Sequence, residues 1–188
     1  MRTAIFGGTF DPIHSAHLVV AREAADAFSL DRVLFIPGAN PPHKDAGTSY
    51  EHRYRMVELA CAGEPRFVAS RLEEGWEKSY SIYTIERVKA MGGDVFFVIG
   101  ADAFAEMHTW HRWEDVVRSV DFIVVARPGH SFTSPPGARV HRLETVALPI
   151  SSSEIRQALA RGETPPELPR AVAEYIRANG LYYGSSSL

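Results

Sequence analysis

The chain holds a single cysteine, Cys61, in 188 residues. One thiol cannot close a disulfide within the chain, so a cross-linked secreted scaffold is excluded, and a buried apolar thiol is a simpler reading than a redox centre. No run of eighteen apolar residues occurs, which leaves no candidate for a membrane-spanning helix, and no secretory segment is visible. A cytoplasmic protein without membrane partners is the expectation. Positive charge is not in surplus: 20 Lys and Arg stand against 23 Asp and Glu, for a net charge of -3. The global footprint of a nucleic-acid binder is therefore missing, although an anion pocket needs only local charge. Internal repeats and low-complexity tracts are also absent. What is present is ordinary for a globular protein, with 45% hydrophobic and 23% charged residues. The length suffices for one sizeable core and requires no second full domain.

The first twenty residues organise the rest. Ala4, Ile5 and Phe6 suit a buried strand, and Gly7-Gly8-Thr9 then interrupts every periodicity, so the strand is expected to stop at the glycines. From Ser15 onward Leu18, Ala21, Ala25 and Phe28 recur at helical spacing, which predicts strand, turn and helix in that order. Glycines allow close approach of a ligand, and the unpaired amides and positive dipole end of the helix favour phosphate. His14 and His17 are three residues apart at that entrance, where two imidazoles can donate hydrogen bonds to phosphate oxygens. One capping and one packed histidine is the alternative. A metal pair is the weaker reading, because zinc takes three or four protein ligands and no Cys/His cluster supplies the others. The Gly-Lys-Ser/Thr ending of a Walker loop does not follow Gly7 and Gly8.

Further along, Val33-Leu34-Phe35-Ile36 reads as a second buried strand, stopped by Pro37 and Gly38 and followed by a proline-rich loop. Thr48 and Glu51 suggest a capping box for a helix with Tyr50, Tyr54, Val57 and Cys61 on one face. Residues 66–70 form a plausible short strand, and Ile82, Ile85 and Val88 mark a helix with Ser79 as its possible cap. Val95 through Ile99 is a continuous apolar run with Asp102 just beyond it, placed either to cap a helix or to bind ribose hydroxyls at a strand end. Residues 122–126 give another strand, residues 129–137 a flexible loop, and residues 139–143 and 146–150 possible sheet edges. Ser151 caps a further helix in which Glu154 completes a capping box and Arg156 follows one turn on, positioned for an anion or for solvent. Gly162 ends it, and a last helix spans residues 169–178, closed by Asn179-Gly180. The alternation predicts an α/β protein with a doubly wound, mainly parallel sheet and helices on both faces.

GGTFDPIHSAH, Gly7 to His17, resembles the nucleotide-binding signature of the nucleotidylyltransferase superfamily, with Ala16 where its H-x-G-H core has glycine, and the wording is similar to the bacterial nicotinate-nucleotide adenylyltransferases. IPGANPPHK resembles that family's I-P-x-x-x-P-P-H-K/R stretch, Ser79-Tyr80-Ser81 with Thr84 its S-Y-T-x-x-T segment, and ISSSEIR its I-S-S/T-x-x-I-R element. The similarity runs from Arg2 to Tyr182 and implies one Rossmann-like domain over residues 1–188, with a C-terminal subregion at 150–182. It implies transfer of AMP from ATP to nicotinate mononucleotide by direct in-line attack, with magnesium accompanying ATP and no dedicated protein metal site. The implied residues are His14 and His17 for catalytic phosphate contacts. Gly7, Gly8, Thr9, Phe10, Asp102, Ser151, Ser152 and Arg156 are implied for ATP. For the mononucleotide they are His43 and Lys44 at its phosphate, Trp110 stacked on the pyridine, and the Ser81 and His111 backbones at its acid group. ATP and nicotinate mononucleotide are the expected partners, with the protein a monomer or homo-oligomer. Read from the residues alone, Lys44 is a surface lysine, Ser81 a helix cap and Trp110 a packing residue.

Overall fold

The computed structural model describes residues 1–39, 47–147 and 151–184. Among the described residues six strands are interspersed with helices, beginning with β1 (Arg2–Gly8), α1 (Ser15–Ala27), β2 (Arg32–Pro37), α2 (Tyr50–Cys61), β3 (Phe67–Ala69), α3 (Ser81–Lys89) and β4 (Asp94–Gly100). The chain continues through α4 (Ala101–Ala105), a 3-10 turn at Met107–Thr109, α5 (Trp113–Ser119), β5 (Asp121–Ala126), β6 (Arg139–Glu144), α6 (Ser152–Ala160) and α7 (Arg170–Asn179). All strand pairings are parallel, in the order β3-β2-β1-β4-β5-β6. This is the doubly wound arrangement, and its winding reverses between β1 and β4.

The apolar runs are continuous because both faces of the sheet are covered. Ala4, Val33, Phe35, Phe96, Val98, Ile123 and Val125 pack with Val20 and Ala24 of α1, Val57 of α2, Ile155 of α6 and Val172 of α7. Their chain neighbours Ile5, Leu34, Ile36, Phe97, Ile99, Phe122 and Val124 face the other way, against Ile82 and Ile85 of α3, Phe104 of α4 and Val116 of α5. The period of two along each strand thus divides the molecule into two cores.

Several boundaries differ from the sequence reading. Strand β1 runs through the glycines, since Gly7 and Gly8 pair with Ile36 and Pro37; the ladder outweighs the weak strand preference of glycine. The N-cap of α2 is Ser49, whose hydroxyl accepts from the His52 amide at 3.3 Å, in place of Thr48. Tyr80 precedes α3 without a side-chain cap, and the Ser79 hydroxyl is instead directed to the Glu73 carboxylate. The expected sheet edge at 146–150 is not formed over its described part: after β6, Thr145 donates to the Ala126 carbonyl at 3.0 Å and Val146 is 83% exposed. Residues 148–150 lie outside the described residues. The loop after β5 is held by Phe132, packed edge-on against Phe104 at 5.9 Å. Helix α7 ends as expected at Gly180, where φ is 61° and the Leu181 amide returns to the Ile176 carbonyl. Among the described residues, no helix is long and apolar enough to cross a membrane.

Candidate active site

The chain leaves β1 through Gly8, where a Cβ would stand 3.3 Å from the ring of Phe10. Phe10 itself has φ of 52° and is 3% exposed, its ring packed among Phe6, Phe35 and His17. Its side chain therefore belongs to the core, and only its backbone is available to a nucleotide. The next four residues, Asp11 through His14, are buried and lead into α1.

His14 and His17 come together as one unit. Their ring centres are 4.0 Å apart, and the His14 amide donates to His17 Nδ1 at 3.1 Å. An accepting Nδ1 places the hydrogen of neutral His17 on Nε2. His14 is 4% exposed. Burial lowers its pKa to about 4, against a smaller opposing influence of Glu167, so it is neutral near pH 7. The two rings face each other's backbone amides in the reciprocal pattern of a capping box at the start of α1. The amide array is narrower than the sequence suggested, because the Ser15 N–H and Oγ are both taken by the Glu167 carbonyl, at 2.8 and 2.5 Å. Ala16, in place of the motif's glycine, is buried.

The β1 loop is held by groups from distant parts of the chain. Ser152 Oγ donates to the Pro12 carbonyl at 2.9 Å, and Arg156 Nη1 to the Asp11 carbonyl at 2.8 Å. The two ends of the chain thus meet at one locus, where Ser152 and Arg156 each give a hydrogen bond to the backbone of the loop. Ser151 caps α6, accepting from the Glu154 amide at 3.2 Å. Arg53, only 2% exposed, reaches across from α2 to three carbonyls: Thr9 at 2.9 Å, Gly38 at 2.8 Å and Thr48 at 3.1 Å.

A second group forms at the start of α3. Ser81 is its first residue, and the ring of His111 stacks on neighbouring Tyr80 at 4.3 Å while His111 Nε2 lies 3.2 Å from the Tyr83 hydroxyl. Trp110, half-buried, sets its ring edgewise to Phe97 of β4 at 5.9 Å. Beneath this turn, the buried Glu73 carboxylate accepts from Thr84 Oγ1 at 2.7 Å, and burial raises its pKa. Asp102 is exposed in the first turn of α4, just beyond β4. The α1–α6 group and the α3–Trp110 group belong to opposite faces of the sheet. The loop after β1 and the segment that carries Trp110 after β4 follow the carboxyl ends of two neighbouring parallel strands, the side on which doubly wound sheets bind ligands. A groove of 560 Å³ lined by Trp76, Lys78, Tyr83 and Arg87 follows the outside of α3, and none of its walls belongs to the β1 loop. His43 and Lys44 lie outside the described residues. Among the described residues, no cluster of three His, Cys, Asp or Glu side chains is arranged to hold a metal.

Sequence reasoning passed over Arg53, Asp11, Tyr182 and Glu73. Arg53 had a signal: it stands between Tyr50 and Val57 on the apolar stripe of α2, where a charge is out of place. Tyr182 had none, because its partner is fixed only by how α7 docks.

The Cytidylyltransferase-like family profile matches residues 5–158. A Solibacter usitatus protein named probable nicotinate-nucleotide adenylyltransferase is 57% identical over 187 residues, spanning 97% of this chain and 100% of that one. One of the same name from Thermus thermophilus is 41% identical over 186 residues, spanning 97% and 100%. Among solved structures, the Plasmodium falciparum nicotinic acid mononucleotide adenylyltransferase complexed with NaAD shares the fold with a TM-score of 0.81 at 20% identity, covering 96% of this chain and 97% of that one. The sheet order, the loop shared by the two ends of the chain and these relatives lead to one assignment: the chain belongs to the Cytidylyltransferase-like family and, within it, to the nicotinate-nucleotide adenylyltransferases.

Proposed function

We propose that this protein transfers AMP from ATP to nicotinate mononucleotide, giving nicotinate adenine dinucleotide and pyrophosphate in NAD biosynthesis. The observation that carries the reading is the junction of the β1 loop with α6, through Ser152 to Pro12 and Arg156 to Asp11. It brings both phosphate signatures of the sequence to one place beside the paired histidines, in a chain 57% identical to a relative named for this activity.

In this reading an oxygen of the mononucleotide phosphate attacks the α-phosphorus of ATP in line, the bond to the bridging oxygen breaks, and pyrophosphate leaves. A phosphate oxygen is already nucleophilic, so the protein aligns the reactants and neutralises developing charge. His17, with its ring hydrogen on Nε2, donates to the reacting phosphate, and His14 contributes a neutral imidazole beside it. The backbone of Gly7, Gly8, Thr9 and Phe10 borders the nucleotide, Asp102 its ribose, and the start of α6 with Ser151, Ser152 and Arg156 the outer phosphates. Trp110 stacks on the pyridine, the Ser81 and His111 backbones take its acid group, and His43 with Lys44 the mononucleotide phosphate. Magnesium bound with ATP would offset part of the triphosphate charge, and no residue is assigned to hold it. Residues 1–188 act as one domain, with 150–182 as a subregion, in a cytoplasmic monomer or homo-oligomer that engages neither nucleic acid nor membrane.

The test is an acceptor panel. Purified protein with ATP and magnesium is offered nicotinate mononucleotide, nicotinamide mononucleotide and phosphopantetheine, following pyrophosphate and identifying the dinucleotide. Nicotinate mononucleotide is expected to give the highest kcat/KM. A preference for the amide overturns the acid-site assignment, reaction with phosphopantetheine alone overturns the acceptor, and ATP binding without pyrophosphate release in every case overturns catalysis.

A further inference from the structure

The buried guanidinium of Arg53 is the feature least explained by folding alone. It is 2% exposed, and its hydrogen bonds among the described residues go to three backbone carbonyls, with no carboxylate among them. Burying a cation without a paired anion is unfavourable, and desolvation accordingly lowers the Arg53 pKa, with Asp11 the foremost group opposing it. An apolar residue at this point of the α2 stripe would avoid that cost, so the charge and the forked geometry have another use.

The partners show what it is. Nη1 alone bridges the Thr9 carbonyl, in the loop that follows β1, and the Gly38 carbonyl, in the loop that follows β2. Those strands are adjacent and in register at their ends, Gly8 opposite Pro37. A guanidinium presents its donors in a rigid fork, so one group can tie two loops at a fixed spacing, which a lysine ammonium on a flexible stem does less well. We propose that Arg53 is a positioning residue for adenylyl transfer, tying the donor-side loop at Thr9 to the acceptor-side loop at Gly38 so that the two phosphates meet in line. The inference rests on the proposed function, since it requires one loop to serve ATP and the other the mononucleotide. Arg53 touches neither substrate, and its effect is on alignment: bound substrates react slowly when loop spacing is lost, because a shift of about 1 Å can cost roughly 10²-fold in rate.

The experiment compares Arg53→Lys and Arg53→Met with the parent, with folding followed by circular dichroism and the folded fraction by urea titration. The parent is assayed first, and whichever acceptor it turns over is used for the variants, so that a wrong acceptor and a wrong role for Arg53 give different results. Both variants are expected to lose kcat per folded molecule, by about 10-fold for lysine and about 10²-fold for methionine, while KM for ATP and acceptor each stay within about threefold. A merely structural role predicts loss of folded protein with unchanged kcat per folded molecule, and that result overturns the proposal. So does a rise in KM for one substrate alone with kcat preserved, and so does a parent that transfers AMP to no acceptor. If methionine unfolds the chain, the lysine variant decides by the same criteria.

Discussion

The hydroxyl of Tyr182 donates to the carboxylate of Asp11 across 171 positions of sequence. Tyr182 has a left-handed backbone, with φ of 64°, just beyond α7, and Asp11 is 5% exposed in the loop after β1. The same loop residue receives Arg156 on its carbonyl, so the last helices and the opening signature are fastened side chain to side chain and side chain to backbone.

Replacing Tyr182 by Phe removes only that hydroxyl and leaves a buried carboxylate short of a donor. The expected cost is about 1–3 kcal/mol of stability, read as a lower urea midpoint at unchanged slope. An unaltered midpoint would show that the contact contributes nothing net.

His17 receives the His14 amide on Nδ1, which aims its other nitrogen. His17→Ala is expected to lower kcat/KM by about 10²-fold or more with the folded spectrum retained. A folded variant with near-parental turnover refutes the assigned role.

His14 gives the protein an acid sensitivity whose sign is set by burial. Its folded pKa of about 4 lies below the ordinary imidazole value of 6.5, so between those pH values the unfolded chain binds a proton that the folded chain refuses. The stability is fully present above pH 6.5 and is lost as pH falls through the window toward 4, by at most about 3 kcal/mol from this group. Urea unfolding at pH 7.5, 6 and 5 checks it: the decline is expected to be shallower in His14→Gln than in the parent, and an equally steep decline refutes it.

Trp110 has a core contact on one edge, against Phe97, and a half-exposed remainder. If that remainder stacks on the pyridine, Trp110→Ala raises the acceptor KM by about 10-fold, Trp110→Phe by much less, and the ATP KM is unmoved in both. Equal KM values for parent and both folded variants return Trp110 to packing.

The sequence made most of the frame legible. Apolar runs at 33–36, 95–99 and 122–126 mark buried strands because a two-sided parallel sheet leaves no polar face, and the periodic helices between them require crossovers. The turn at Gly180 was legible for a similar reason, a local backbone demand met by a residue without Cβ. Boundaries decided by partners were not. Gly7 and Gly8 read as a stop, yet they pair with Ile36 and Pro37 because the neighbouring strand offers the ladder. Thr48 and Ser49 are equally good caps by chemistry, and only the path of the chain chose Ser49.

The candidate site divides along the same line. His14 and His17, the α6 start and the strand-end position of Asp102 follow from local spacing, since residues three apart at a helix entrance or just past a strand are placed by backbone geometry alone. That Arg156 and Ser152 spend hydrogen bonds on the carbonyls of Asp11 and Pro12, that Arg53 spans two loops, and that Tyr182 closes on Asp11 were decided only by tertiary structure. Each joins groups far apart in the chain, and such contacts depend on how whole helices dock against the sheet, where buried donors and acceptors must find partners that no local pattern names.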